Sequence, residues 1–255
     1  MRTAIVTAGI VALLAGCSTA GTPTAAPDTA ASPTSMALPI TSAPSPTTFT
    51  SPVGYSFSTV RVAGSTDRVT YDVSIPQIEG PDPAVVGEFN ESMHAAFQDQ
   101  IDGFANARFS LADARPGPTY AGSSVVGAVL NTSWDANPPG AHPTYVIATV
   151  TVNTATAEPI TLHDVFPDLQ VGLQRLSEQS ALLLPSTPAG TDFEASGIEP
   201  AESNFANWVP SSAGMNIRFS DYQVGPHAIG LIDVTIPWGA LADVADPRTL
   251  NALSS

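Results

Sequence analysis

The sequence predicts an α+β fold of antiparallel sheets with packed helices. Short runs of alternating apolar residues recur along the chain, and other segments carry apolar residues at helical spacing. Strands and helices also come in blocks, without the regular βαβ alternation that would give a parallel sheet.

The elements follow in order. Folded sequence begins near Tyr55. Residues 55–62 (YSFSTVRV) alternate in part and 69–75 (VTYDVSI) alternate strictly, with Gly64, Ser65, Thr66 and Asp67 between them, the pattern of a hairpin. Asp82 and Pro83 supply an N-cap and a first-turn proline. The helix they start places Val85, Phe89, Met93, Phe97, Ile101 and Phe104 at steps of three and four, one apolar stripe for the core. Residues 121–134 and 144–153 read as two long strands joined by the irregular, turn-rich stretch 135–143. Residues 159–166 form a short connector. Asp168 caps a second helix carrying Leu169, Leu173, Leu176 and Leu183, ended by Pro185. A Pro- and Gly-rich loop runs to about residue 200, followed by a short helix ahead of Trp208. Late strands at 215–219 and 231–236 complete the fold, the last stopped by Pro237 and Trp238.

The segment before Tyr55 has a different character. Arg2 precedes an apolar run from Ala4 to Leu14, and residues 14–17 read LAGC. A basic start, an apolar run too short to span a bilayer and small residues before a cysteine make a bacterial lipobox. Residues 1–16 are therefore expected to be a signal peptide, and Cys17, the chain's single cysteine, to take a diacylglycerol and become the new N-terminus. From Cys17 to residue 52 the sequence is dominated by Ser, Thr, Ala, Pro and Gly, with Asp28 its lone charge. Such a composition buries too little apolar area to offset its ordering entropy, so it reads as a disordered tether. No later apolar run is long enough to cross a membrane, so the lipid is the expected anchor, on the extracytoplasmic face.

Composition narrows the function classes. All basic residues are arginine, as in GC-rich genomes such as those of actinobacteria. The formal net charge of −15 argues against nucleic acid and anionic lipid surfaces and favours a basic partner through long-range steering. With Cys17 lipidated, no thiol remains for nucleophilic, redox or thiolate–metal chemistry.

Several strings, taken in order, carry a resemblance. Residues 75–80 (IPQIEG) precede a helix containing Phe89 and Asn90. Gly140 and His142 open a strand, and 159–166 (PITLHDVF) follow it. Residues 219–230 (FSDYQVGPHAIG) lead into 234–237 (VTIP). In this order they resemble the extracellular domain of RsiV-type anti-sigma factors and the related domain of secreted mycobacterial immunogenic proteins, over about residues 55–245. The resemblance implies two linked α+β subdomains, here 53–158 and 159–250, in an extracytoplasmic setting. In the RsiV group this domain binds lysozyme. The chain carries no sigma-binding segment and no transmembrane run, so an anti-sigma role is not expected. His227 stands where an aromatic residue is more usual and reads as a packing substitution.

The candidate site residues are few. His94, His142, His163 and His227 form no H-x-x-x-H or H-x-H pair and have no carboxylate cluster nearby in sequence, so no metal site is expected. His94 flanks the helical stripe, and His163 before Asp164 reads as a local turn device. His142 and Pro143, opening a strand from an irregular loop, are the candidate binding residues, with loops 135–143 and 185–200 as contact regions. Tyr222, Gly225, Pro226 and Gly230 read as a structural motif. Gly225 and Pro226 make a turn, Tyr222 packs beneath it with its hydroxyl bonded, and Gly230 marks a close backbone approach.

No G-x-S-x-G elbow, Walker A loop or G-x-G-x-x-G is present, so neither a nucleotide nor another cofactor is expected. These observations point to a lipid-anchored extracytoplasmic domain that binds a partner, a basic extracellular protein, without chemistry. The mycobacterial branch of the resemblance implies an alternative, a weak cell-envelope serine esterase, whose triad could assemble from unrelated positions. Replacing Cys17 by Ala should leave the precursor unlipidated, because no other thiol can accept the lipid. Partitioning of a Cys17→Ala chain into the detergent phase would defeat the anchor assignment.

Overall fold

The computed structural model describes residues 54–104 and 107–255; Cys17, the apolar run and the tether lie outside them. The first strands form the expected hairpin, β1 (Ser56–Ser65) against β2 (Val69–Glu79), antiparallel from Ser56 opposite Glu79 to Ser65 opposite Thr70. Helix α1 (Pro83–Asp102) follows. Asp82 caps it by accepting from the Ala84 N–H at 2.8 Å, and Pro83 occupies its first turn. Val85, Phe89, Met93, Phe97 and Ile101 are buried as their spacing predicts. Phe104 lies past the helix end, where it stacks on Trp134 at 5.0 Å. Asn90 pins the helix to β2: its side chain accepts from the Ile78 N–H at 2.9 Å and donates to the Ile78 carbonyl at 3.2 Å.

Next come β3 (Phe109–Asp113), β4 (Thr119–Ala121), β5 (Val125–Ala136) and β6 (Thr144–Asn153). The run read as one strand from 121 is thus divided. The Gly122 N–H donates to the Val125 carbonyl at 2.9 Å and turns the chain between β4 and β5. Strand β3 was not legible; five residues (FSLAD) carry too little alternation to register. It joins β2 in parallel, Val69 opposite Phe109, with α1 as the crossover that a parallel connection requires. The remaining pairs are antiparallel. This mixed sheet has the order β1-β2-β3-β5-β4, with β6 also on β5.

The later part holds the short helix α2 (Leu162–Val165), the helix α3 (Leu169–Leu183), and an antiparallel sheet of β7 (Trp208–Ser211), β8 (Gly214–Phe219) and β9 (Ile232–Pro237). Asp168 caps α3 by accepting from the Val171 N–H at 3.2 Å. The stretch before Trp208 forms 3-10 turns at Ala195–Ile198 and Glu202–Asn204. Helices α4 (Trp238–Leu241) and α5 (Pro247–Leu253) extend past the last predicted strand, and Asp246 caps α5 through the Arg248 and Thr249 N–H groups.

Apolar side chains gather in two main clusters. One lies between α1 and the mixed sheet, with Ile75, Phe89, Met93, Leu111 and Leu130. The other lies around α3 and the smaller sheet, with Leu176, Phe205, Ile217, Phe219 and Ile236. Val129, Ile147 and Val209 form a third, small cluster where β7 meets β5 and β6. Phe97 is 5% exposed and meets the Tyr71 ring edge-on at 5.5 Å. Phe97→Ala should cost about 3–5 kcal/mol of stability, the usual result of emptying an aromatic core site. A denaturation midpoint shift near zero would place Phe97 outside the core.

Candidate functional site

Two segments far apart in sequence meet at one end of the β5–β6 hairpin. The strands pair as far as Trp134 opposite Thr144, so the connection beyond them carries His142 and Pro143 to the hairpin tip, beside Tyr145 at the start of β6. From the other side, the chain leaving β8 at Phe219 makes a compact turn that delivers Asp221, Tyr222 and His227.

Side-chain bonds fix that turn. Gln223 accepts from the Ser220 N–H at 2.8 Å and donates to the carbonyls of Gly197 (2.7 Å) and Asn204 (2.9 Å), tying the turn to the 3-10 segment. Gly197 is required there because a Cβ would lie 1.9 Å from the Gln223 carbonyl oxygen. Loop 185–200, expected as a contact region, therefore buttresses the turn through its last residues. Pro226 caps a short 3-10 turn at His227–Ile229.

Asp221 organises the cluster. Its side chain is 1% exposed, and Oδ2 accepts from the Tyr145 N–H at 3.1 Å and from His227 Nδ1 at 2.7 Å. Oδ1 is buried without a partner among the described residues. Because a carboxylate only accepts, His227 donates through Nδ1. The His227 ring stacks on His142 with centroids 3.9 Å apart and planes at 12°, on Tyr145 at 5.7 Å and on Tyr222 at 5.7 Å. His142 Nδ1 lies 3.1 Å from the Pro143 carbonyl, so that nitrogen donates as well. Nε2 of a neutral His142 is then an acceptor, and the Tyr222 hydroxyl donates to it at 3.0 Å.

The candidate binding residues His142 and Pro143 thus lie at a built cluster, and three readings of the motif change. Tyr222 is not packed beneath the turn; it is 53% exposed with φ +65°, a left-handed conformation that is uncommon for a bulky residue, although its hydroxyl is bonded. Gly230 is not at a close approach, since a Cβ there would meet nothing within 4 Å. Its φ of +76° and ψ of −170° are what demand glycine. His227 has in Asp221 a partner that a phenyl ring would lack, so it is more than a packing substitution. Asp221 and Tyr145 were missed. Asp221 is one of many scattered acids, and its burial depends on a strand remote in sequence.

His94 is exposed on α1, and His163 is exposed with Nε2 3.4 Å from Glu202 Oε1. Asp221 and His227 form a carboxylate–imidazole pair, yet among the described residues no serine hydroxyl is hydrogen-bonded to a histidine. No group of three His, Cys, Asp or Glu side chains that could hold a metal is found among the described residues. A cleft of about 490 Å³ lies elsewhere, lined by residues of β1, β2 and β5 and of the β3–β4 connection, near Phe57, Ser74 and Asn131. Its lining includes no histidine or arginine.

Residues 164–239 match the model of the DUF3298 family, described as a protein of unknown function. The match includes Asp221, Tyr222 and His227 and stops short of His142 and Tyr145. No curated protein matches the chain. Among solved structures, a DUF3298 family member from Bacteroides fragilis NCTC 9343 is similar at 13% identity and a TM-score of 0.50, over 78% of this chain and 97% of that one. A DUF3298 family protein from Pseudomonas aeruginosa PAO1 is 14% identical with a TM-score of 0.46, over 77% of this chain and 96% of that one. At such identity the first likeness is one of fold.

Two of the three revised positions make a prediction here. His227→Phe should destabilise the domain by about 1–3 kcal/mol, because it removes one of two donors to a buried carboxylate oxygen. Gly230→Val should cost a similar amount, about 1–3 kcal/mol, through backbone strain alone. Unchanged denaturation midpoints for both variants would contradict this reading of the turn.

Proposed function

We propose that this chain is a lipid-anchored extracytoplasmic binding module, tethered through Cys17, whose partner docks on the His142–Tyr222–His227 face without chemistry. The observation that carries the reading is the exposed stack of imidazole and phenol rings fixed from beneath by a buried carboxylate. Rigid aromatic rings at a surface bury large areas with little loss of side-chain entropy, which is why such residues anchor interfaces. The backbone at Tyr222 is held in an unfavourable conformation that leaves its ring in solvent, an arrangement that packing alone does not call for.

Charge supports a basic partner. A formal −15 attracts a cationic protein over long range, and an arginine or lysine of that partner can sit over the Tyr222 face. The lipobox supports the anchor, and the resemblance to RsiV-type domains makes lysozyme the natural basic probe. Calorimetric titration of the chain with lysozyme tests the reading. Tyr222→Ala should weaken binding about tenfold, the loss of roughly 1.4 kcal/mol at an aromatic anchor. Affinity should also fall as salt rises. Absence of binding, or equal binding by the Tyr222→Ala chain, would overturn the reading of this face.

A further inference from the structure

Away from the histidine cluster, the outer face of the β7-β8-β9 sheet forms a cleft of about 310 Å³ against Pro118, Thr119 and Tyr120. Arg218 of β8 lies in it with its side chain only 12% exposed. The Nε of Arg218 is buried without a hydrogen-bond partner among the described residues, and the nearest carboxylate oxygen paired with it, Asp233 Oδ1, is 3.9 Å from Nη1. That distance is too long for a hydrogen bond. Elsewhere the chain pairs arginine closely. Arg175 donates to both oxygens of Asp243, at 2.6 and 2.9 Å, and Arg61 Nε donates to Asp72 at 2.6 Å.

A desolvated guanidinium with unmade bonds is costly, and in a chain with 23 acidic residues its isolation is not for want of carboxylates. Burial pushes the Arg218 pKa down from its ordinary value, against the pull of Asp233. Beside it, Asn216 donates to Asp233 Oδ2 at 3.0 Å and to Thr235 Oγ1 at 3.1 Å, which leaves Asn216 Oδ1 buried and unpartnered among the described residues. The cleft thus holds a donor lacking an acceptor, an acceptor lacking a donor, and a carboxylate oxygen that Asn216 does not use.

From this geometry we infer that the cleft is a binding site for a free α-amino acid with a small apolar side chain. The ligand's carboxylate accepts from Arg218, and its ammonium donates to Asp233 Oδ1. The two protein charges are 3.9 Å apart, so the ligand's opposite charges must be close together too, as on a single α-carbon. The carboxylate of Asp233 and the negative charge of the whole chain disfavour a phosphate dianion. Val209, Pro210 and Pro118 give the side chain an apolar wall. The site is independent of the proposed docking face.

Titration of the full chain with valine tests the inference, with N-acetylvaline, valinamide and acetate as controls. Saturable binding of valine is expected, weakened at least about tenfold by either cap or by Arg218→Met, a change of roughly 1.4 kcal/mol. Asp233→Asn should weaken valine more than N-acetylvaline, which keeps the test sharp if Arg218→Met fails to fold. No saturable binding of valine, alanine or leucine up to about 10 mM would overturn the proposal, since that limit corresponds to under about 3 kcal/mol. Acetate or N-acetylvaline binding as tightly as valine would overturn it as well.

Discussion

Burial of β5 on both faces is the constraint on which the rest of this fold depends. Val126, Ala128 and Leu130 point into the cluster under α1, whereas Val125 belongs to the cluster around α3. Val129 joins Ile147 and Val209 where the two sheets meet. A strand enclosed in this way cannot alternate apolar with polar, and its first eight residues are all buried. The β5–β6 hairpin is thereby a shared wall. The Trp208 N–H, donating to Thr149 Oγ1 at 3.2 Å, ties the smaller sheet to that wall as well.

From that wall the site follows. Because β6 is held on β5 in fixed register, its first residues and the connection before them stand at a defined height. The turn after β8 reaches the same place from the smaller sheet. Asp221 closes the gap between them. One oxygen of a carboxylate almost wholly out of solvent takes a backbone N–H from β6 and an imidazole N–H from its own turn. The imidazole so fixed is the platform on which His142, Tyr145 and Tyr222 stack. Without the carboxylate, the two loops would be joined here by the Tyr222–His142 hydrogen bond and ring stacking, with no buried anchor beneath them.

Much of the fold was legible because its signals are local. The Asp82 cap, the first-turn proline and the spacing of Val85 through Ile101 are written within one helix, and the hairpin within the single stretch from Ser56 to Glu79. The α+β class follows from such elements. The short strand β3 escaped because it owes its place to partners on either side, β2 and β5, and little to its own five residues. The break before β5 escaped because Ala121 and Val125 look continuous until the Gly122 turn is seen. At the site, His142 stood out as a histidine in a turn-rich loop, and residues 219–230 stood out as a string. That the two touch could not be read, since Tyr222 and His142 are 80 positions apart and their meeting is a property of sheet register.

The central claim is that the buried Asp221 carboxylate holds His227, and through it the aromatic face, in one arrangement. Nitrogen–proton correlation spectra of the imidazole rings test it most directly. The account predicts a His227 Nδ1 proton protected from exchange with water and a His142 ring protonated at Nδ1 with Nε2 bare, both signatures vanishing in an Asp221→Ala chain, which has no side-chain acceptor at that position. Rapid exchange at His227, with both rings showing the tautomer mixture of free imidazole, would contradict it.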